Sequence, residues 1–339
     1  MKKISVYDAV GTVLAHDLTR IVPDQEKGAG FKKGHIILER DIPELLKIGK
    51  RHLYVLDLPS DRLHEDDAAL RIAKAICGEC LRWTAPQEGK SSIISSAAGL
   101  LKIDVDALLA ANRMDDIIIA TLKTNTPCKE GQIVGGTRII PLTISAHQIE
   151  TLERMALKAG PIMRVRPFRR LKVGGVVTGS EIKEGLIKDE FEKFVNSKLK
   201  AYGCQLLKKI IVSDDPDAIA AAIQELRNLG CELILTTGGL SVDPDDVTRQ
   251  GVAQAGGEKI FYGSPVLPGA MFLYARLGEI PIMGLPACVY FYPTTVFDLL
   301  LPRLLADDPI TPDDIAAMGH GGLCLQCKTC RFPICPFGK

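Results

Sequence analysis

The sequence predicts an α/β protein whose main part is a three-layer domain with a parallel β-sheet. Smaller α+β modules precede this domain, and a Cys-rich tail follows it. The first observation is that apolar runs of strand length alternate with helix-length segments from Val173 onward, a pattern typical of parallel strands with helical crossovers. The second is that residues 4–60 alternate short apolar runs with turn residues, and the third is a cysteine cluster after Met318.

The charge composition argues against nucleic-acid and membrane partners. The chain has 339 residues, with 42 basic and 41 acidic side chains and a formal net charge of +1. Such a balance provides no general positive field to attract nucleic acid or anionic lipid. Charged residues interrupt the N-terminal segment, and no uncharged stretch of about 18 residues follows. A cytoplasmic location is therefore expected.

Four segments are expected along the chain. They are a small α+β module at 1–62, a mixed helical and strand module at 63–163, the α/β domain at 164–307 and the Cys-rich tail at 319–339. In the second module, apolar spacing predicts helices at 63–83, 93–102, 105–112 and 147–157. A strand pair is expected at 131–134 and 138–142, with a glycine turn between the two strands.

The α/β domain is expected to alternate strands and helices. Predicted strands lie at 173–178, 205–212 and 233–236, and predicted helices at 186–202, 216–229 and 247–255. Two further strands at 271–276 and 280–285 and a helix at 290–305 complete the domain.

Three exits from the predicted strands are polar. They are Thr178-Gly179-Ser180-Glu181, Ser213-Asp214-Asp215 and the turn from Thr236 to Thr248. Since parallel strands end at one edge of a sheet, these groups are expected to line a single crevice. Gly238 and Gly239 permit a sharp turn that presents backbone N–H groups to an oxyanion. Asp214 and Asp246 either bind a ligand or cap the helix that follows each of them.

The third exit carries a family resemblance. Its order Thr-Thr-Gly-Gly-x-Ser-x-x-Pro-x-Asp-Val-Thr, from Thr236 to Thr248, resembles the signature turn of the molybdopterin-binding domain. That domain occurs in proteins that complete the molybdenum cofactor. Residues 177–181, 212–215 and 263–286 are similar to three other motifs of this family, in the same order. The resemblance therefore covers roughly residues 171–306.

The resemblance implies an enzyme similar to molybdopterin molybdenumtransferase. Such a protein binds molybdopterin or its adenylate and assists molybdate insertion, with Mg²⁺ as a further cofactor. Asp214 and Asp246 would hold the pterin and are the candidate catalytic residues. The other implied cofactor-binding residues are Thr178, Gly179, Ser180, Glu181, Thr237, Gly238, Gly239, Ser241 and Asp245. Glu181, Asp243 or Asp245 would help to hold the metal. Expected partners are a molybdoenzyme or an upstream cofactor-synthesis protein, and the chain is expected to form a homo-oligomer.

Two departures from the family pattern support a different function. The family turn Gly-Leu-Pro-Gly-Asn-Pro is here Gly284-Leu285-Pro286-Ala287-Cys288-Val289, and the stretch 266–270 lacks the family's lysines. Both changes weaken the case for metal insertion more than the case for pterin binding. The alternative is a non-catalytic carrier or sensor of the finished cofactor, with a metal-bearing docking tail.

The tail is the second candidate site. Cys324, Cys327, Cys330 and Cys335 form C-x2-C-x2-C-x4-C followed by Pro336, close to the cysteine run of bacterial ferredoxins. Structural zinc sites usually separate two C-x-x-C pairs by about a dozen residues or more. The spacing favours a 4Fe–4S cluster over Zn²⁺, and a tail without metal is the third possibility.

Cys77 and Cys80 form a second C-x-x-C. No thioredoxin-like strand precedes the pair, so two ordinary cysteines are expected there.

Overall fold

The computed structural model describes residues 2–20, 28–55, 59–241, 243 and 247–338. The chain divides into two compact units. The first comprises Met1–Ala97, Leu101–Thr124 and Cys128–Val165, and the second comprises Ala98–Leu100, Asn125–Pro127 and Arg166–Lys339. Within the described ranges, no helix combines the length and the hydropathy that crossing a bilayer requires.

The chain up to Pro167 is rich in short strands. Its strands are β1 (Lys2–Ser5), β2 (Leu18–Arg20), β3 (Gly28–Phe31), β4 (His52–Val55), β5 (Arg62–His64), β6 (Leu81–Trp83), β7 (Lys90–Ser95), β8 (Gly99–Ile103), β9 (Ile117–Thr121), β10 (Thr126–Cys128), β11 (Ile133–Ile139), β12 (Thr143–Ser145) and β13 (Met163–Pro167). Its helices are α1 (Ile42–Lys47), α2 (Glu65–Ile76), α3 (Val105–Asn112) and α4 (Ala146–Ala159).

Three expectations for this part of the chain are wrong. The helix expected at 63–83 ends at Ile76, and Leu81–Trp83 forms β6. The segment expected as a helix at 93–102 forms the second half of β7 and most of β8, and burial alternates residue by residue along β7 as a strand requires. The glycine pair expected as a turn lies inside β11, which pairs with β7 and β9. A Cβ on Gly135 would lie 2.9 Å from the Ala120 carbonyl oxygen. The glycine therefore allows two strands to approach closely instead of turning the chain.

The second unit contains the α/β domain. Its strands are β14 (Lys172–Thr178), β15 (Gln205–Val212), β16 (Leu233–Thr237), β17 (Glu258–Tyr262), β18 (Leu273–Leu277) and β19 (Ile280–Leu285). Its helices are α5 (Ser180–Lys183), α6 (Ser197–Ala201), α7 (Pro216–Asn228), α8 (Thr248–Gln254), α9 (Val296–Leu305) and α10 (Pro312–Ala317), with a π-helical segment at Glu192–Asn196 ahead of α6.

These six strands form one mixed sheet in the order β15-β14-β16-β19-β18-β17. The first four strands are parallel, whereas β18 is antiparallel to both β19 and β17. The expectation of a parallel sheet is therefore confirmed for β15, β14, β16 and β19 and wrong at the edge formed by β18 and β17. Only Gly278 and Glu279 separate β18 from β19, which is long enough for a hairpin but not for a parallel crossover. Strand β17 was not predicted from the sequence.

Helices cover both faces of this sheet. Phe191, Leu199 and α9 belong to one buried cluster, while α7 and α8 belong to another. Successive residues of β14 and β16 alternate between the two clusters, as the pleat of a strand requires. A Cβ on Gly174 would lie 2.8 Å from a methyl carbon of Leu226, and one on Gly175 would lie 2.8 Å from the Phe191 ring. These two glycines allow helices to pack tightly against the strand.

The Cys-rich tail packs onto this domain. Phe337 is 3% exposed and belongs to the same cluster as α9, and its ring meets Phe332 edge to face at 6.4 Å. The segment after Asp307 also contributes Ile310 and Ile315 to that cluster. The core of the domain therefore extends beyond the expected boundary at residue 307.

The first prediction concerns this packing. Phe337→Ala should destabilise the second unit by about 3 kcal/mol, because it removes a buried ring and leaves a cavity. Ile334→Ala is the control, since Ile334 is 86% exposed and should change stability by less than about 0.5 kcal/mol. Hydrogen exchange of the α9 amides in urea measures both effects. Equal protection in the two variants would show that the tail does not stabilise the core.

Candidate functional site

Three polar strand exits meet at one edge of the sheet. Strands β15, β14 and β16 are parallel neighbours, with Thr178 opposite Val212 and Val177 opposite Thr237. The residues that follow these strand ends are the ones that the sequence analysis selected. The structure thus brings together the groups at Thr178–Ser180, Asp214 and Thr237–Gly239.

Asp214 joins the first exit to the second. Its Oδ2 accepts hydrogen bonds from the Ser180 backbone N–H at 2.9 Å and from the Ser180 hydroxyl at 3.2 Å. The capping role belongs to the neighbouring Asp215, whose side chain accepts from the Ala218 N–H at 3.1 Å and starts α7. Asp214 therefore links two exits at the sheet edge and does not cap α7, the helix that follows it.

The glycine turn of the third exit is held against β14. Gly238 and Gly239 have φ values of 88° and 59°, a region that disfavours residues with side chains. The Thr248 hydroxyl donates to the Gly238 carbonyl at 2.9 Å, and the Thr178 hydroxyl donates to the Thr237 carbonyl at 3.2 Å. A Cβ on Gly238 would lie 2.5 Å from the Thr178 carbonyl oxygen. The turn thus has no room for a side chain on that side.

Buried hydroxyls lie at the end of β16. Thr236 and Thr237 are at most 1% exposed, and within the described part of the chain neither hydroxyl has a hydrogen-bond partner of good geometry. Burial raises the pKa of the Tyr290 phenol to about 12, while the nearby Thr237 hydroxyl acts in the opposite direction. Tyr290 was not selected from the sequence, because it was assigned to the last helix. In the structure it ends the 3-10 turn Ala287–Tyr290.

Two basic residues near the exits were also missed. The Lys183 ammonium donates to the Ser213 hydroxyl at 3.4 Å. Arg249 follows Thr248 directly, and its guanidinium lies 4.3 Å from the centroid of the Tyr262 ring. The Tyr262 hydroxyl in turn donates to the Leu240 carbonyl of the glycine turn. The sequence feature that could have identified both residues is a basic side chain within one or two positions of a polar exit.

The remaining predicted residues are on the surface or outside the described residues. Glu181, Ser241 and Asp243 are exposed. Asp245 and Asp246 lie outside the described residues, so their pterin and metal roles stay predictions.

Among the residues that the structure describes, no group of three or more His, Cys, Asp or Glu side chains could hold a metal ion. This applies to the carboxylates near the exits and to the tail, where all four cysteines are free thiols. The magnesium and tail-metal assignments therefore stay predictions.

In the other C-x-x-C, burial raises the pKa of the Cys77 thiol to about 12. This shift disfavours the thiolate form that makes a cysteine nucleophilic.

Comparisons with known proteins relate the domain that carries these exits to a known family. Residues 174–306 match the family model of a probable molybdopterin binding domain. Residues 3–57 match a domain of unknown function. The resemblance expected from the sequence motifs is thereby confirmed for the α/β domain.

Similarity to individual proteins is confined to parts of the chain. A molybdopterin molybdenumtransferase of Synechococcus elongatus is 27% identical over 147 residues, which are 41% of this chain and 36% of that protein. A CinA-like protein of Petrotoga mobilis is 38% identical over 80 residues, which are 24% of this chain and 20% of that protein. The chain thus spans about a third or less of the length of these two relatives. The solved structure of the molybdopterin biosynthesis enzyme MoaB from Thermus thermophilus is 18% identical, with 41% of this chain and 98% of that chain covered and a TM-score of 0.34.

The second prediction tests the crowding at the glycine turn. Gly238→Ala should destabilise the second unit by about 2–4 kcal/mol, because a strained φ adds to a clash with the backbone of Thr178. Gly230→Ala is the matched control: its φ is +84° but no atom lies within 4 Å of the added Cβ, so about 1–2 kcal/mol is expected. Denaturant unfolding of both variants gives the difference. Equal losses would mean that the turn relaxes away from β14.

Proposed function

We propose that the chain binds molybdopterin, or its adenylate, at the polar edge of the sheet and assists molybdate insertion. The supporting premise is the molybdopterin-binding match over residues 174–306. The observation that carries the proposal is the convergence of three strand exits, linked by the Ser180–Asp214 and Thr178–Thr237 hydrogen bonds. Ligands of open α/β sheets bind at such an edge.

The chemistry of the exits suits the two ends of the ligand. A pterin presents adjacent N–H donors, which favour a carboxylate acceptor, and its phosphate favours backbone N–H groups. In this proposal Asp214 and Asp246 accept from the pterin, while Gly238, Gly239 and Ser241 bind near the phosphate. Asp214 can take this role because Asp215 already caps α7.

Basic residues would supply charge at the phosphate. Displacement at an adenylated phosphate needs charge neutralisation more than a protein nucleophile. Lys183 and Arg249 lie beside the second and third exits. They would supply the positive charge that the family's lysines provide and that the stretch 266–270 lacks. Bound Mg²⁺ would supply further charge neutralisation, and Glu181, Asp243 or Asp245 are the residues proposed to hold it.

The second candidate is a carrier or sensor that holds finished cofactor without making it. The last three residues of the family turn are replaced here by Ala287, Cys288 and Val289, and Val289 is buried in the core. In the downstream stretch 266–270, Val266 is buried in the same core and a Cβ on Gly269 would lie 2.6 Å from a methyl carbon of Val296. A recipient molybdoenzyme or an upstream cofactor-synthesis protein is the partner that either function requires. Assembly into a homo-oligomer is part of the same proposal.

The third prediction separates the two candidates. Adenylated molybdopterin incubated anaerobically with the purified chain and Mg²⁺ should release AMP only when molybdate is added. Chromatographic measurement of AMP with and without molybdate checks this. Tight binding without AMP release would favour the carrier. Absence of binding would contradict both.

The fourth prediction tests the assignment of the carboxylates. Asp214→Asn should weaken molybdopterin binding by about 1–3 kcal/mol, because the pterin donors lose a charged acceptor. The amide oxygen can still accept from Ser180, so the fold should be retained. Asp246→Ala should weaken binding by a similar amount.

Asp215→Asn is the matched control. Because Asn is an equally good N-cap, this variant removes the charge next to Asp214 and should bind molybdopterin as tightly as the unmodified chain. Anaerobic isothermal titration measures all three variants. If Asp214→Asn and Asp215→Asn bind equally well, Asp214 does not contact the pterin.

A further inference from the structure

The tail forms a closed loop with fixed ends. The Leu267 N–H donates to the Gly322 carbonyl and the Cys324 N–H donates to the Leu267 carbonyl, both at 2.8 Å. At the other end, the Gly338 N–H donates to the Gly321 carbonyl at 2.9 Å, and the ring of Phe337 is buried. Residues 325–336 therefore leave the domain and return to the same place.

All four tail cysteines line one cavity of about 230 Å³. Tyr292, Pro293 and Thr294, which precede α9, form the facing wall. Cys324 and Cys335 are half-buried and pack against the core, whereas Cys327 and Cys330 are exposed. The Cys330 sulfur lies 3.2 Å from the Thr294 hydroxyl. Thiols that are dispersed along the loop thus line the same cavity.

Charge in the loop suits an anionic group. Lys328 and Arg331 are its charged side chains, and residues 320–338 contain no aspartate or glutamate. Four thiolates around a metal centre leave a net negative charge that such residues offset.

We propose that the tail cavity binds a 4Fe–4S cluster through Cys324, Cys327, Cys330 and Cys335. Short cysteine spacing followed by Pro336 is typical of such clusters, while zinc sites usually place two pairs farther apart. Each thiol loses its proton to the solvent on binding. Because the four thiols are not yet gathered at metal-binding geometry, the exposed Cys327 and Cys330 move inward while the fixed ends of the loop stay in place.

The test uses the full chain, purified anaerobically and then reconstituted with sulfide and equal amounts of ferrous and ferric iron, which together supply the oxidation level of the cluster without a further oxidant. About four iron and four acid-labile sulfide atoms per chain are expected, with a broad absorption band at roughly 400 nm. Cys327→Ser and Cys330→Ser should lose the band and the iron. Both side chains are exposed, so the variants should fold, and circular dichroism verifies this. Cys80→Ser is the matched control and should retain the full band.

Three results would overturn the proposal. One is stoichiometric zinc that resists replacement by iron and is lost in Cys327→Ser. Another is the absence of bound metal after reconstitution. The third is a band that persists in both tail variants, which would place the iron elsewhere on the chain.

Discussion

The candidate site depends on the parallel pairing of β14 with β15 on one side and β16 on the other. This pairing puts three chain exits at the same edge and in register, so hydroxyl, carboxylate and glycine N–H groups become neighbours without long side chains. Helices must then cover both faces of the central strand. Gly174 and Gly175 make this possible, because a Cβ at either position would collide with Leu226 or Phe191. Strand β14 thus determines both how the helices pack in the core and which polar groups meet at the edge.

The sequence predicted the part of the structure that follows local rules. The helix α7 is an example: Pro216 begins it, Gly230 follows it, and the apolar residues Ile219, Ile223 and Leu226 recur at helical spacing. Prediction failed where contacts with segments distant in the sequence determine the local structure. Residues 93–95 became part of a strand because β7 pairs with both β6 and β11. The direction of β18 is a different case, because its two-residue turn to β19 is a local feature that makes the pair antiparallel.

The assignment of the carboxylates shows the same division. Asp214 and Asp215 both precede a helix, and sequence reasoning left open whether Asp214 binds or caps. Proline at the first helical position already indicates that the residue directly before it is the N-cap, and Asp215 does occupy that place. Sequence could therefore exclude Asp214 as the cap. It could not show that Asp214 instead accepts from Ser180, since 34 positions separate the two residues.

The segment from Pro286 to Thr295 contributes to both candidate sites. Tyr290 lies beside the Thr237 hydroxyl at the sheet edge, while Tyr292–Thr294 form a wall of the tail cavity. Lys198 fixes the segment by donating to the Pro293 carbonyl at 2.8 Å and by pairing with Asp298, which shares a capping box with Thr295. Any residue here must fit the sheet edge on one side and the tail on the other. The altered residues Ala287, Cys288 and Val289 of the family turn lie in this segment, so their replacement is physically consistent with packing against two neighbours.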